Sequence, residues 1–237
     1  MSSLRVVLCD LDDTLFDHYR ASEMALERLR DIERDLADEP FDVQVERHRN
    51  LLDTYHRELL AGRMTLEQVR IARFQGLVGN GCDAERALQM ALRYRQLYEQ
   101  CWYTVPGAVD LASAIRHEGV TFVVVTNNLI EEQRLKLERC GLTALVDHLV
   151  TSEEVGVAKP HRGIFDAALD RAGATSDRAV MLGDSWEVDV LGAQAAGIRA
   201  VWFNRFGHPR PNPAVAELQA FEPVVDAMRV LGAGRRV

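Results

Sequence analysis

The chain has 237 residues, 47% of them hydrophobic and 27% charged, enough for one large domain or a core with a smaller insert. A formal net charge of −8, with arginines scattered among acids and no basic patch, argues against a nucleic-acid partner, and the apolar runs are too short to span a membrane. Four cysteines (Cys9, Cys82, Cys101, Cys140) show neither CxxC spacing nor a paired framework, so reduced thiols are expected, with Cys9 and Cys140 as small core residues; with no basic-then-apolar leader, the expected location is cytoplasmic.

The first element is the apolar run Val6 to Cys9, which fits a short parallel strand buried on both faces and stops abruptly at Asp10, Asp12 and Asp13, followed by Thr14. Carboxylates at the end of a buried strand are costly unless something pairs with them, and clustered oxygen ligands suit Mg²⁺. The stretch therefore reads as a strand ending in a metal and phosphate site, the plainer alternative being a solvated Asp-rich turn. From 17 to 103 the chain is helical and strongly charged. A helix over 21–36 carries Met24, Ala25, Leu29, Ile32 and Leu36 at helical spacing, and 43–60 and 65–77 repeat the pattern. Thr65 with Gln68 predicts a capped start, residues 79–81 a break, and Asp83 the start of a helix reaching about 98.

From 105 onward strands and helices alternate: a helix over 108–117, a strand over 120–126, a helix over 130–139 ended by Gly141, a short strand near 148–152 and a loop over 153–159. A helix after Pro160 ends at Gly173, followed by a strand over 178–183, a helix over 188–196 and a strand over 199–203. After turns the tail ends in a helix over 224–231. This order predicts an α/β protein: a Rossmann-like parallel sheet core (1–15 and 105–237) with an inserted α-helical cap domain (16–104).

In such a sheet, ligands bind beyond the carboxyl ends of the strands. Polar residues stand at those ends here: Asp10 and Asp12, then Thr126 and Asn127, then Lys159 before Pro160, then Asp184 after Gly183, with Asp189 one turn further on. Taken singly, Thr126-Asn127 suits a turn and helix cap, Lys-Pro a surface loop, and Gly-Asp-Ser a strand exit. Together they supply what a phosphate–Mg²⁺ site requires. Asp13 and Thr14 are assigned to the turn. His18, His48, His56 and His161 have no ligand spacing and are expected to be exposed.

The four segments D-L-D-D-T-L (10–15), V-V-V-T-N-N (123–128), V-A-K-P (157–160) and G-D-S-W-E-V-D (183–189) resemble, in order, the motifs of the haloacid dehalogenase superfamily with a C1-type helical cap. The resemblance spans about residues 5 to 205. It implies that Asp10 is the nucleophile, becoming an aspartyl-phosphate, and that Asp12 protonates the leaving alkoxide and then activates water. Strand geometry would put the Asp12 side chain on the same side as that of Asp10. It further implies that Thr126 and the Asn127 backbone bind phosphoryl oxygens and that Lys159 neutralises charge. Mg²⁺ would take the Asp10 carboxylate, the Asp12 carbonyl and Asp184, while Asp189 joins through water or orients the lysine.

The presence of Asp12 favours phosphate ester chemistry over dehalogenation. Asp13-Thr14-Leu15 departs from the β-phosphoglucomutase pattern and lowers a mutase reading. The run through Phe16, with Arg73-Phe74 in the cap, is similar to the subgroup of YjjG-type nucleoside 5′-monophosphatases and N-acylneuraminate 9-phosphatases. The expected substrate is a small phosphorylated metabolite, a nucleoside 5′-monophosphate before a sugar phosphate, handled by a monomer or homodimer. The other readings are a mutase and a non-catalytic binding protein of the same fold. Candidate cap contacts are Phe16, His18, Arg63 and Arg73.

Overall fold

The computed structural model describes residues 4–36, 39–79 and 81–233. The strands are β1 (Val6–Cys9), β2 (Thr121–Thr126), β3 (His148–Thr151), β4 (Ala179–Gly183), β5 (Arg199–Phe203) and β6 (Ala216–Leu218), in one sheet of order β3-β2-β1-β4-β5-β6. Every pairing is parallel, for example Leu8 beside Val123 and Met181. β1 is central because Val-Val-Leu-Cys can be buried on both faces, which an edge position would not demand. On one face Val6, Leu8, Val123, Val125 and Met181 pack against Ile164, Phe165 and Ala193. The alternate residues Val7, Cys9, Phe122, Val124, Val180 and Leu182 are equally buried, and burial of each such side chain contributes roughly 1.5–3 kcal/mol.

The chain divides into two units, one of residues 1–17 and 103–237 and one of 18–102. The first unit adds α5 (Ala108–His117), α6 (Ile130–Arg139), α7 (Ser152–Val155), α8 (Arg162–Ala172), α9 (Gly192–Ala195) and α10 (Val224–Leu231). The two chain passages that leave and re-enter this unit lie side by side. Phe16 bridges Thr104 in antiparallel fashion, Asp17 N–H donates to the Tyr103 carbonyl (2.9 Å) and Val105 N–H to that of Leu15 (2.8 Å).

The second unit consists of α1 (His18–Ile32), α2 (Phe41–Leu60), α3 (Leu66–Val78) and α4 (Ala84–Glu99). α3 begins with the predicted capping box, Thr65 accepting from Gln68 N–H and the Gln68 side chain from Thr65 N–H, and Asp83 caps α4. Asn80, in the expected break, lies outside the described residues; its neighbours Gly79 and Gly81 have φ 86° and 101°.

Several expectations need correction. The first cap helix gives way at Ile32 to a single tight turn over 34–36, and the expected loop at 153–159 begins as α7, because Thr151 accepts from Glu154 N–H and caps it. β6 was not foreseen: Ala-Glu-Leu is too short to show alternation, and only pairing with β5 makes it a strand. Cys140 is only partly buried whereas Cys101 is fully buried in its place. His48 is not exposed: it sits 5.0 Å, ring to ring, from Tyr94, and its burial, with Arg73, His18 and Arg49 nearby, keeps its pKa well below the usual histidine value. Among the described residues, no helix is long and apolar enough to cross a membrane.

Candidate active site

The ends of β1, β2 and β4 and the loop before α8 bring the predicted polar residues of the first unit together. Asp10 follows β1, its N–H still bonded to the Leu182 carbonyl (2.9 Å). Its carboxylate meets Lys159 Nζ at 2.5 Å, and the same ammonium lies 2.7 Å from Asp189. All three are buried. Asn127 fastens this lysine from the backbone side, its amide donating to the Lys159 carbonyl (2.8 Å) and accepting from Lys159 N–H (2.7 Å). Asn127 thus works here through its side chain, a contact the sequence does not suggest.

Beyond β4 the helix opens with a widened turn over Trp186–Leu191, with Asp189 N–H and Val190 N–H both donating to the Ser185 carbonyl. The expected helix over 188–196 therefore begins two residues earlier and is not uniform. The widened turn returns the Asp189 carboxylate to Ser185 N–H (3.1 Å) and to Lys159. Gly183 makes room for it: a Cβ there would fall 2.5 Å from Asp189 Cβ. Gly183→Ala should push Asp189 off Lys159 and lower turnover by at least about tenfold, since small misplacements near the chemistry are expensive. Side-by-side kinetics of the variant and Asp189→Ala should show similar losses.

Carboxylate oxygens of Asp10, Asp184 and Asp189 lie within 4.8 Å of one another. Burial raises the Asp10 pKa to about 7 although Lys159 pulls against it, and burial together with Asp10 and Asp189 raises that of Asp184 well above the carboxylate range. Burial also opposes the Lys159 ammonium, but Asp10 and Asp189 outweigh it and hold the lysine charged. One lysine cannot neutralise three carboxylates, of which Asp10 and Asp189 are buried and Asp184 half-buried. The all-oxygen donor set is what a hard divalent cation prefers, so the cluster could hold a metal.

Asp12 is held elsewhere. β1 ends at Cys9, so strand periodicity does not carry Asp12 to the partners of Asp10. Its carboxylate instead meets Lys136 Nζ (2.6 Å) and Gln133 Nε2 (2.8 Å) from α6. Gln133 also donates to Thr126 Oγ1 (2.7 Å). Asp13, left-handed at φ 63°, shares Arg205 with Asp17, both at 2.8 Å, and Thr14 Oγ1 donates to Asp184 (3.4 Å). These two turn residues thus brace the site.

Sequence reasoning missed Lys136, Gln133 and Arg205. For the first two the only signal in the sequence is their i, i+3, i+4 spacing with Leu137; the structure buries that whole stripe. Of the proposed cap contacts, Phe16 is fully buried, His18 bonds the Tyr98 hydroxyl (2.7 Å), Arg63 pairs with Glu58 on the surface, and Arg73 lies over the rings of Phe74 and Tyr94.

Fold and cluster together define an α/β protein with an acidic, lysine-centred, cation-ready site at the carboxyl edge of a parallel sheet. Residues 4–197 match the haloacid dehalogenase-like hydrolases, and the chain belongs to that family. It is 46% identical over 110 residues to the pyrimidine 5′-nucleotidase YjjG of Escherichia coli, a match spanning about half of either chain (46% of this one, 48% of that). It is 32% identical over 207 residues to the ribulose-1,5-bisphosphate 5-phosphatase of Halopiger xanaduensis, covering 84% of each. The fold is also that of the HAD-hydrolase YfnB from Bacillus subtilis bound to magnesium, with a TM-score of 0.78 at 24% identity over 96% of this chain and 100% of that one.

Proposed function

We propose that this phosphoric monoester hydrolase is Mg²⁺-dependent, works through an aspartyl-phosphate on Asp10, and acts on a nucleoside 5′-monophosphate. The observation that carries the reading is the division of two neighbouring carboxylates: Asp10 is buried against Lys159, while Asp12, with a side chain 26% exposed, is held by Lys136. Different environments suit different tasks.

Asp10 attacks phosphorus as the bond to the ester oxygen breaks, and Asp12 gives its proton to the departing alkoxide. Asp12 then takes a proton from the water that attacks the aspartyl-phosphate, releasing phosphate and restoring Asp10. Thr126 and the Asn127 backbone N–H receive the phosphoryl oxygens. Lys159, steadied by Asp189, offsets negative charge on Asp10 and on the transferring group. Asp10, Asp184 and the Asp12 carbonyl would hold Mg²⁺, with Asp189 in support. When bound, the ion supplies Lewis-acid charge stabilisation.

The nucleotide is favoured by the likeness to a pyrimidine 5′-nucleotidase, and a sugar phosphate is second because a sugar bisphosphate phosphatase matches over most of the chain. Phosphate release across a panel of both classes, with Mg²⁺ and with EDTA, tests this. Activity should need the metal and concentrate on nucleoside monophosphates; a rearranged product without free phosphate would make the enzyme a mutase.

Stability offers a second readout of the metal. The folded-state pKa of Asp10 stands above its unfolded value of about 3.8, so the folded protein keeps a proton that the unfolded chain releases. Metal-free protein should therefore lose stability as pH rises from about 4 to about 7. Mg²⁺ at about 100 times its dissociation constant should return about 2.7 kcal/mol. Thermal melts at several pH values, with and without the ion, check both statements.

A further inference from the structure

We propose that Lys136 and Gln133 of α6 are positioning residues for Asp12, each fixing one of its carboxylate oxygens. This rests on the acid–base reading of Asp12 given above.

Lys136 Nζ is 2.6 Å from Asp12 Oδ1, and Gln133 Nε2 is 2.8 Å from Asp12 Oδ2, so both oxygens have their own donor. The lysine is 1% exposed, with Glu132 at 3.4 Å and the Phe16 ring centroid at 4.8 Å as its other neighbours. Burying and ordering so long a charged side chain costs about 1.5–2 kcal/mol in rotamer entropy alone. Buried ion pairs repay little in stability compared with well-packed apolar residues. A lysine at this place is therefore poorly explained by packing and well explained by orientation.

Gln133 extends the device. Turning its amide over would set a carbonyl oxygen against the Asp12 carboxylate, so the donor orientation is the one that suits Asp12 in its ionised form. Both N–H groups are then used, one on Asp12 and one on Thr126 Oγ1. Because Thr126 accepts there, its own O–H proton is left for another acceptor, such as a phosphoryl oxygen. One helical stripe thereby aligns the acid–base carboxylate and a phosphate-binding hydroxyl. Asp10 is served by Lys159 instead, so the two carboxylates are aligned independently.

The test compares Lys136→Met, Gln133→Leu and Asp12→Asn in the full chain with Mg²⁺. On the best alkyl phosphate of the panel, whose alkoxide needs a proton, kcat should fall about a hundredfold in the first two variants, with KM changing less than about threefold. On p-nitrophenyl phosphate, whose phenolate leaves unprotonated, the first turnover should fall far less. A burst of nitrophenol should then appear as hydrolysis of the intermediate becomes limiting. In an Asp12→Asn background Lys136→Met should not lower activity further, and Gln133→Leu should lose only the smaller share owed to Thr126. Equal losses on both esters without a burst, unchanged kcat, or a Lys136→Met loss that multiplies in full with Asp12→Asn would overturn the proposal. Normal turnover by Asp12→Asn alone would overturn the acid–base reading, and this proposal with it. Should Lys136→Met fail to fold, Gln133→Leu decides, since it leaves the lysine pair intact.

Discussion

Asp10→Asn should abolish phosphate release, by a factor on the order of 10⁴ or more, while leaving the fold intact or firmer. The amide is nearly isosteric but a poor nucleophile toward phosphorus, so on the proposed mechanism nothing replaces it. Loss of structure is not expected, because Lys159 keeps Asp189 at 2.7 Å and one of three crowded carboxylates is removed. The decline in metal-free stability between pH about 4 and about 7 should also flatten, since the group whose pKa burial raises to about 7 is gone. Stopped-time phosphate assays and melts across that pH window read both effects. Retained turnover would end the aspartyl-phosphate mechanism, and an unflattened stability profile would assign the titration to Asp184.

Lys159→Met should do the reverse to stability. It removes the ammonium shared by the buried Asp10 and Asp189, with half-buried Asp184 beside them, and breaking such a pair from one side costs about 3–5 kcal/mol. Activity should fall by at least about a hundredfold, because no charge remains to offset the transferring phosphoryl group. Added Mg²⁺ should recover part of the melting temperature and little of the activity, which separates electrostatic support of the fold from support of the reaction. Lys159→Arg should not rescue: the planar fork is bulkier than an ammonium held between Asp10 and Asp189. An unchanged melting temperature in Lys159→Met would refute the account of the cluster as a set of mutually repelling carboxylates.

Much of this was legible because parallel strands leave a strong trace. Val6–Cys9, Thr121–Thr126 and Arg199–Phe203 are short β-branched or apolar runs followed by polar residues, and a chain that repeats this must bring those residues to one sheet edge. Asp10, Lys159, Asp184 and Asp189 gather there although up to 179 positions separate them. What stayed hidden depends on contacts without local pattern. β6 exists only through its neighbour, and His48 looked like any histidine on a charged helix until three other elements closed around it. Lys136 was hidden differently. A lysine in a helix rich in Glu and Arg reads as solvated, and only the buried stripe it shares with Leu137 shows otherwise.

The antiparallel neck formed by Phe16 and Thr104 bears on the order in which the protein assembles as it is made. β1 emerges first yet lies between β2 and β4, so its partners follow only after the whole helical insert has been synthesised. The insert has its own contacts and need not wait; once it folds, His18 near its start meets Tyr98 near its end. That shortens the gap between β1 and β2 from roughly a hundred residues to about thirty, saving about 1 kcal/mol of closure entropy. The helical unit is then a kinetic aid to a sheet it does not belong to. A mutation that loosens α1 against α4 would delay strand pairing on the ribosome and leave Val-Val-Leu-Cys unpaired for longer, with misassembly as the cost, even where the finished enzyme is unimpaired.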